Sequence, residues 1–326
     1  MPIAYWINKR MLDIFQKFPK ALDYADVKDG FTTGDNEKFL RIWHEIDFGK
    51  MSCSEVSCDK TCTHKWFPYN KGGSYRKWFG NNIYLINWEN DGKELKNFGR
   101  AVLRNLRYIF REGLTWTLLS SGGKFGARIM ETRFLFDTNG KSMFPEPCYI
   151  PYMLALLTSK VSFEFLRVIN PTLAFQVGDI SRIPIIYDEK RYNKICSITT
   201  DCIAFSRTDW DSYETSWDFA LHPLLPHPSA TLAAVYEQYK AETNARFDQL
   251  KANEEELNCI FIDIYGLADE LTPTVAERDV TVTRVYDTAA DVPAAMKGSS
   301  YVLTRADAMR SLISYAVGCM FGRYSL

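Results

Sequence analysis

Apolar positions in this chain follow helical spacing in some stretches and strict alternation in others, and the two patterns do not mix. In residues 4–18, "AYWINKRMLDIFQKF", Trp6, Ile7, Met11, Ile14, Phe15 and Phe18 recur at three- and four-residue steps, which predicts a helix. "VKDGFTTGDNEKFLRIW" then combines turn residues with a helix start at Asp35. Residues 81–88, "NNIYLINW", alternate and are rich in branched and aromatic side chains, the mark of a strand. The period changes again in "KNFGRAVLRNLRYIFREG". Phe98, Val102, Leu106 and Ile109 trace one stripe and Arg100, Arg104, Arg107 and Arg111 another, predicting an amphipathic helix with a cationic face.

Residues 114–143 read as short strands broken by glycine, and "CYIPYMLALLTSKVSFEFLRVIN" as helical. "PTLAFQVGDISRIPIIYD" reads as a loop followed by a β segment. After the proline-rich joint "LHPLLPHPS" comes the longest helical pattern, residues 230–265, with Ser229 as a candidate N-cap and Gly266 as its end. Leu232, Val235, Tyr236, Tyr239, Phe247, Leu250 and Leu257 form its apolar stripe. The tail adds Met309, Leu312, Ile313, Ala316 and Met320 at helical spacing, a candidate partner for that stripe. No internal repeat is present.

Composition is that of a soluble globular protein, 46% hydrophobic and 24% charged, and no apolar run reaches the ~20 residues of a membrane span. Eight cysteines in 326 residues do not form a disulfide framework, so reduced thiols in a cytoplasm are expected. Lys9, Arg10 and Asp13 interrupt the first apolar stretch, against a signal peptide. "PIAYWI" directly after Met1 reads like the middle of a domain, and the expectation is a piece of a larger protein. The net charge of -1 conceals a strong asymmetry. Residues 60–141 carry 15 Lys and Arg against 6 Asp and Glu, while residues 230–326 carry 9 against 14.

Within the basic segment, "KWFPYNKGGSYRKWFGNN" intersperses Lys65, Lys71, Arg76 and Lys77 with six aromatic rings and three glycines. Cations neutralise phosphate, glycines admit a close backbone and rings stack on bases, so the stretch points to nucleic acid. A solvated hairpin whose aromatics enter the core is the alternative. "SSGGKFGAR" lacks the GxxxxGK[ST] spacing of a phosphate-binding loop, which leaves a plain β-turn or a turn that brings Lys124 and Arg128 to DNA. "DGFTTGD" imitates a glycine-rich cofactor loop but has no second glycine at the required spacing and reads as a turn. Cys53, Cys58, Cys62 and His64 are four soft ligands in a dozen residues, though without the paired CxxC spacing of most zinc sites. The chain has no GxSxG, no HExxH and no Pro-Pro, and its four histidines lack an evident acid–base partner.

Seven blocks in order, "GFTTGDNEKFLRIWHE", "KWFPYNKGGSYRKWFGNN", "NWENDG", "REGLTWTLLSSGGKFGARI", "NPTLAFQVGDISRIPI", "NEEELNCIFIDIYGLADELTP" and "SLISYAVGCMFGRYSL", closely resemble the C-terminal part of the large adenine-specific DNA methyltransferases of BREX phage-defence systems. These are related to single-chain type IIG restriction-modification enzymes. The resemblance implies an N-terminal S-adenosylmethionine-dependent N6-adenine methyltransferase domain, a target recognition domain like those of type I specificity subunits, and helical spacer and tail segments. The FxGxG cofactor loop and the [N/D]PP[Y/F] tetrapeptide of such methyltransferases do not occur in this sequence; "NPTL" at Asn170 begins like the second but lacks its second proline and aromatic.

The expected fold is therefore α+β: a mixed, mostly β target recognition domain over residues 1–225, a spacer helix over 226–272 and a helical tail over 273–326. The expected function is sequence-specific recognition of double-stranded DNA in the major groove, orienting the parent protein's methyltransferase domain so that one adenine flips into its active site. No activity is expected of the chain alone, and S-adenosylmethionine is expected in the missing catalytic domain, with no cofactor here. Lys65, Lys71, Arg76, Lys77, Lys124 and Arg128 are the expected phosphate or guanine contacts, and Tyr69, Asn70 and Ser74 the expected base readers. Thr33, Asp35, Asn36 and Arg41 form a second group. The alternative is a docking or oligomerisation module for other subunits of the same defence system.

Overall fold

The computed structural model describes residues 9–52, 64–119, 123–226 and 231–324. Backbone contacts divide the chain into two compact units, Met1–Thr200 with Leu257–Thr272, and Asp201–Glu256 with Pro273–Leu326. The architecture is α+β, as expected.

Unit one holds two four-stranded sheets. In the first, β1 (Ala25–Lys28), β5 (Gly113–Thr117), β6 (Ala127–Met130) and β8 (Gly140–Pro145) lie in the order β1-β8-β5-β6, every pair antiparallel. Leu114 sits opposite Met143 and Trp116 opposite Lys141. In the second, β2 (Leu40–Ile42), β3 (Trp66–Asn70), β4 (Tyr84–Asn87) and β7 (Leu135–Phe136) lie in the order β2-β4-β3-β7, with β3 and β7 parallel. β4 falls inside the predicted stretch 81–88. Phe31, Phe39, Phe67, Tyr69, Ile86 and Trp88 make the core that this second sheet covers.

Among the helices of this unit, α1 (Lys9–Lys17) turns Met11 and Ile14 inward. α2 (Asn36–Phe39) starts where predicted, because the Asp35 carboxylate accepts from the Lys38 amide at 3.1 Å. α3 (Glu89–Lys96) opens with a left-handed turn at Asn90, Asp91 and Gly92. α4 (Ile150–Thr158) and α5 (Lys160–Ile169) fill the stretch 148–170 that reads as helical. Ser159 breaks it: its extended backbone ends α4, and its hydroxyl accepts from the Ser162 amide to cap α5. α4 is apolar nearly all round because it lies wholly inside, against the first sheet. α6 (Val177–Ile180) follows, and the β segment expected after it shrinks to one antiparallel bridge, Lys20 to Pro184.

The cationic helix expected near 96–113 does not form. Residues 97–112 run as an irregular strap with one short 3-10 turn, Leu106–Tyr108. Phe98, Ala101, Leu103, Leu106, Ile109 and Phe110 pack on the second core, and Val102 bridges to Thr32. Asn105 (φ 53) and Phe110 (φ 59) take left-handed backbone that no α-helix tolerates. Burial of six apolar side chains overrides the helical spacing.

α7 (Tyr192–Asp211) leads from unit one into unit two. α8 (Leu232–Tyr265) spans 34 residues, about 50 Å at 1.5 Å per residue, and ends as predicted at Gly266. Gly266 takes φ 61, which lets the Leu267 amide reach back to the Ile262 carbonyl at 2.8 Å. The candidate cap Ser229 lies outside the described residues. Unit two also contains a parallel pair, β9 (Arg284–Tyr286) and β10 (Val302–Thr304), and α9 (Arg305–Met320). Val235, Tyr236 and Tyr239 of α8 pack with Ala308, Met309 and Leu312 of α9, so part of each predicted stripe meets the other, while Leu232, Ile313, Ala316 and Met320 are exposed. No described helix is long and apolar enough to cross a membrane.

Candidate nucleic-acid interface

β3 ends at Asn70, and the chain then leaves the second sheet through Lys71–Tyr75. Two fixed points set its path. Asp137, between β7 and β8, receives the Tyr69 hydroxyl at 2.9 Å and the Asn139 amide at 2.8 Å, and Lys71 Nζ stands 3.5 Å from the same carboxylate. Gly72, at φ 82, passes so close to this turn that a Cβ would lie 2.9 Å from the Asn139 carbonyl oxygen. Farther on, Trp78 takes left-handed backbone (φ 71) and exchanges backbone bonds with β6: its amide donates to Ala127 at 2.8 Å, and its carbonyl accepts from Ile129 at 2.9 Å. The loop is thereby tied at both ends.

Lys124 joins it from the turn before β6. Its ammonium lies 5.5 Å from the centroid of the Tyr75 ring, so the two basic stretches found in the sequence do meet. Ser74 and Gly73 are exposed, and Lys71, Tyr75 and Lys124 are half-buried with part of each side chain open to solvent. Asn139 is exposed beside Gly72. This constellation of two ammonium groups, an aromatic ring, a hydroxyl and an amide suits an anionic polymer with flat bases.

The other expected contacts lie elsewhere. Tyr69 is fully buried, and its hydroxyl donates to Asp137 and, at 3.0 Å, to the Phe31 carbonyl. Burial, reinforced by the Asp137 charge, pushes that hydroxyl's pKa well above its usual value. Asn70 is buried too, donating to Thr115 Oγ1 and to the Gly140 carbonyl and accepting from the Gly72 amide. Neither side chain faces a base; both hold the loop's foot. Arg76, Lys77 and Arg128 are each under a tenth exposed, and Arg128 Nη1 donates to the Arg76 carbonyl. These three expected phosphate contacts are buried, and the structure does not bring them to the open surface with Lys71 and Lys124.

Lys65 is half-buried at the opposite end of β3 from Lys71, 4.0 Å from Glu89. The second expected group surrounds α2 and β2, at the far edge of the second sheet. Thr33 is buried and donates to Asn36 at 2.8 Å; Asp35 caps α2 and pairs with Arg100 at 3.0 Å; Arg41 donates to the carbonyls of Glu37 and Leu40. Asn36 is exposed. These residues build a local turn.

Tyr75 and Asn139 were not anticipated. Tyr75 carries a signal in hindsight, as the ring that follows two glycines and a serine, and Asn139 stands in the turn sequence "DTNG". Of the soft-ligand cluster, Cys53, Cys58 and Cys62 lie outside the described residues, and His64 is half-buried. Among the described residues no group of three or more His, Cys, Asp or Glu is placed to hold a metal ion.

No protein-family model matches the chain. Along its whole length it is 40% identical to part of the adenine-specific methyltransferase PglX of Lacticaseibacillus casei (strain Zhang). It is likewise 35% identical to part of the adenine-specific methyltransferase BrxX of Escherichia coli O9:H4 (strain HS). The chain spans about a quarter (26%) of the length of either relative.

Proposed function

We propose that this chain, which is homologous from end to end to a part of the BREX-type adenine-specific methyltransferases, is the part that recognises double-stranded DNA. The observation that supports the reading best is the meeting of Lys124 with the Lys71–Tyr75 loop, which gathers cations, a ring and polar side chains from two distant segments on one open surface. Lys71 and Lys124 take phosphates, while Ser74, Tyr75 and Asn139 face the bases. In the parent protein this surface orients the duplex so that a separate domain, carrying S-adenosylmethionine, transfers a methyl group to N6 of one flipped adenine. Cytoplasmic phage defence is the setting that goes with this reading.

The test is affinity selection from a randomised duplex pool, followed by salt titration of the selected duplex. An enriched sequence is expected, and Lys71→Ala and Lys124→Ala should each make the slope of log K against log[salt] shallower by about 0.9. Absence of duplex binding at low salt would overturn the reading and leave docking to other defence-system subunits as the function.

A further inference from the structure

The strap that replaced the expected cationic helix carries its arginines in an arrangement that the reading above does not use. Tyr108 is buried, with its ring packed on Phe144 at 5.0 Å between centroids, and it forms a fixed platform. Three cations surround that ring: Arg107 at 4.9 Å, Lys28 at 5.4 Å and Arg111 at 5.5 Å from the centroid. Arg107 Nη2 also donates to the Tyr108 hydroxyl at 2.8 Å. Arg104, one short turn earlier on the strap, is exposed, as are Arg107 and Arg111.

Charge balance sets these arginines apart from their neighbours. Lys38 pairs with Glu94, Lys96 with Asp91, Arg100 with Asp35 and Arg133 with Glu131. By contrast, among the described residues Arg104, Arg107 and Arg111 have no carboxylate within ion-pair distance. Asp26 pairs with Lys28 at 2.8 Å, and Lys28, the Tyr108 hydroxyl and Arg107 hold its carboxyl below the usual range; Glu112, next to Arg111 in the chain, is exposed. Four cations against two carboxylates leave a local positive excess, and cation–π contacts hold two of the guanidinium groups without neutralising them.

Arg111 precedes β5 by two residues, whereas Lys71 and Asn139 lie past the other end of that strand, where Thr117 pairs with Gly140. Five residues of strand span about 17 Å. The two cationic groups thus flank one sheet at a separation comparable with the ~12 Å width of a major groove plus its bordering backbone.

We propose that Arg107 and Arg111, set around Tyr108 with Lys28, and exposed Arg104 on the same strap form a second DNA-backbone contact that grips phosphates and reads no base. This rests on the DNA reading above and adds a surface to it. Guanidinium forks suit bidentate phosphate binding, and such contacts fix the position of a duplex without carrying sequence information.

The experiment compares three proteins by fluorescence anisotropy over a range of salt concentrations: the wild type, a triple Arg104→Gln, Arg107→Gln, Arg111→Gln variant, and the matching triple Arg→Lys variant. The Gln variant should flatten the salt slope by about 0.9 per lost contact, two to three in all, while its ranking of duplexes from a randomised pool stays that of the wild type. The Lys variant keeps the charge and should keep the slope, and thermal melting of both variants shows whether either has lost its fold. A wild type that binds while the folded Gln variant keeps its slope, or changes its sequence preference, overturns this inference alone. A wild type that binds no duplex overturns it together with the DNA reading.

Discussion

Tyr69 and Asp137 separate a structural role from a reading role most sharply, because the sequence pointed to Tyr69 as a base reader and the fold buries it. Tyr69→Phe removes one hydroxyl and no ring, so its cost is the lost bond to the Asp137 carboxylate, which at 2.9 Å is charge-assisted. Hydrogen bonds to charged groups contribute about 1.5–3 kcal/mol, and the Phe31 carbonyl at 3.0 Å loses its donor as well, so about 2 kcal/mol is expected. Asp137→Ala removes more. The carboxylate also accepts from the Asn139 amide and faces Lys71, and stranding buried partners of this kind costs about 3–5 kcal/mol. The double variant should fall short of the sum by about 1–2 kcal/mol, since each change removes the same bond. Denaturant titration of the four proteins measures these values, with the midpoint read at constant slope. Duplex affinity is then measured under conditions where each variant is folded. Tyr69→Phe should leave affinity within about twofold, a change of ~0.4 kcal/mol. Asp137→Ala should not weaken binding through Lys71, because it frees that ammonium from its counter-ion. A Tyr69→Phe protein that is nearly as stable as the wild type yet, when folded, binds the duplex tenfold or more weakly would mean that the hydroxyl meets DNA and not the core.

Two further predictions concern unit two. His222 is buried, its Nδ1 accepts from the Leu224 amide at 3.3 Å and its Nε2 faces Ser311 Oγ at 3.0 Å; burial lowers its pKa to about 4. The unfolded chain therefore binds the proton first as pH falls below about 6.5, and stability should drop between pH 6.5 and 4 by up to about 3 kcal/mol. His222→Gln should flatten that window in denaturant titrations at pH 7 and pH 5, and an unchanged pH dependence would refute the assignment. Phe247 is fully buried on α8 with the Arg284 guanidinium 4.9 Å over its ring. Phe247→Ala should cost about 3–5 kcal/mol in unfolding free energy and leave duplex affinity of the folded protein unchanged; a collapse of affinity in folded protein would make the helix part of the DNA site. Alanine is a cleaner probe here than aspartate, whose charge Arg284 would partly neutralise.

What the sequence disclosed and what it hid divide along a physical line. Features set by a few adjacent residues were legible. Asp35 caps α2, Gly266 ends α8, β4 lies inside an alternating run, and Val235, Tyr236 and Tyr239 of α8 meet Met309 and Leu312 of α9. Features decided by competition between distant segments were not. The spacing of Phe98, Val102, Leu106 and Ile109 satisfies a helix, yet the core takes Leu103 and Phe110 along with Phe98, Leu106 and Ile109 and leaves Val102 exposed, a selection that the irregular strap makes. The same holds for the basic stretch. Composition identified 65–82 as unusual, but it could not separate Lys71, which reaches the surface, from Arg76 and Lys77, which face inward. Both cations directly precede Trp78, whose left-handed backbone ties the chain to β6. A cation-rich segment thus divides into an outward part available to phosphate and an inward part that shapes the loop. The arginines of the strap follow the opposite course: the loss of the helix that would have aligned them is what sets two of them around Tyr108, where ring contacts hold their charge without neutralising it.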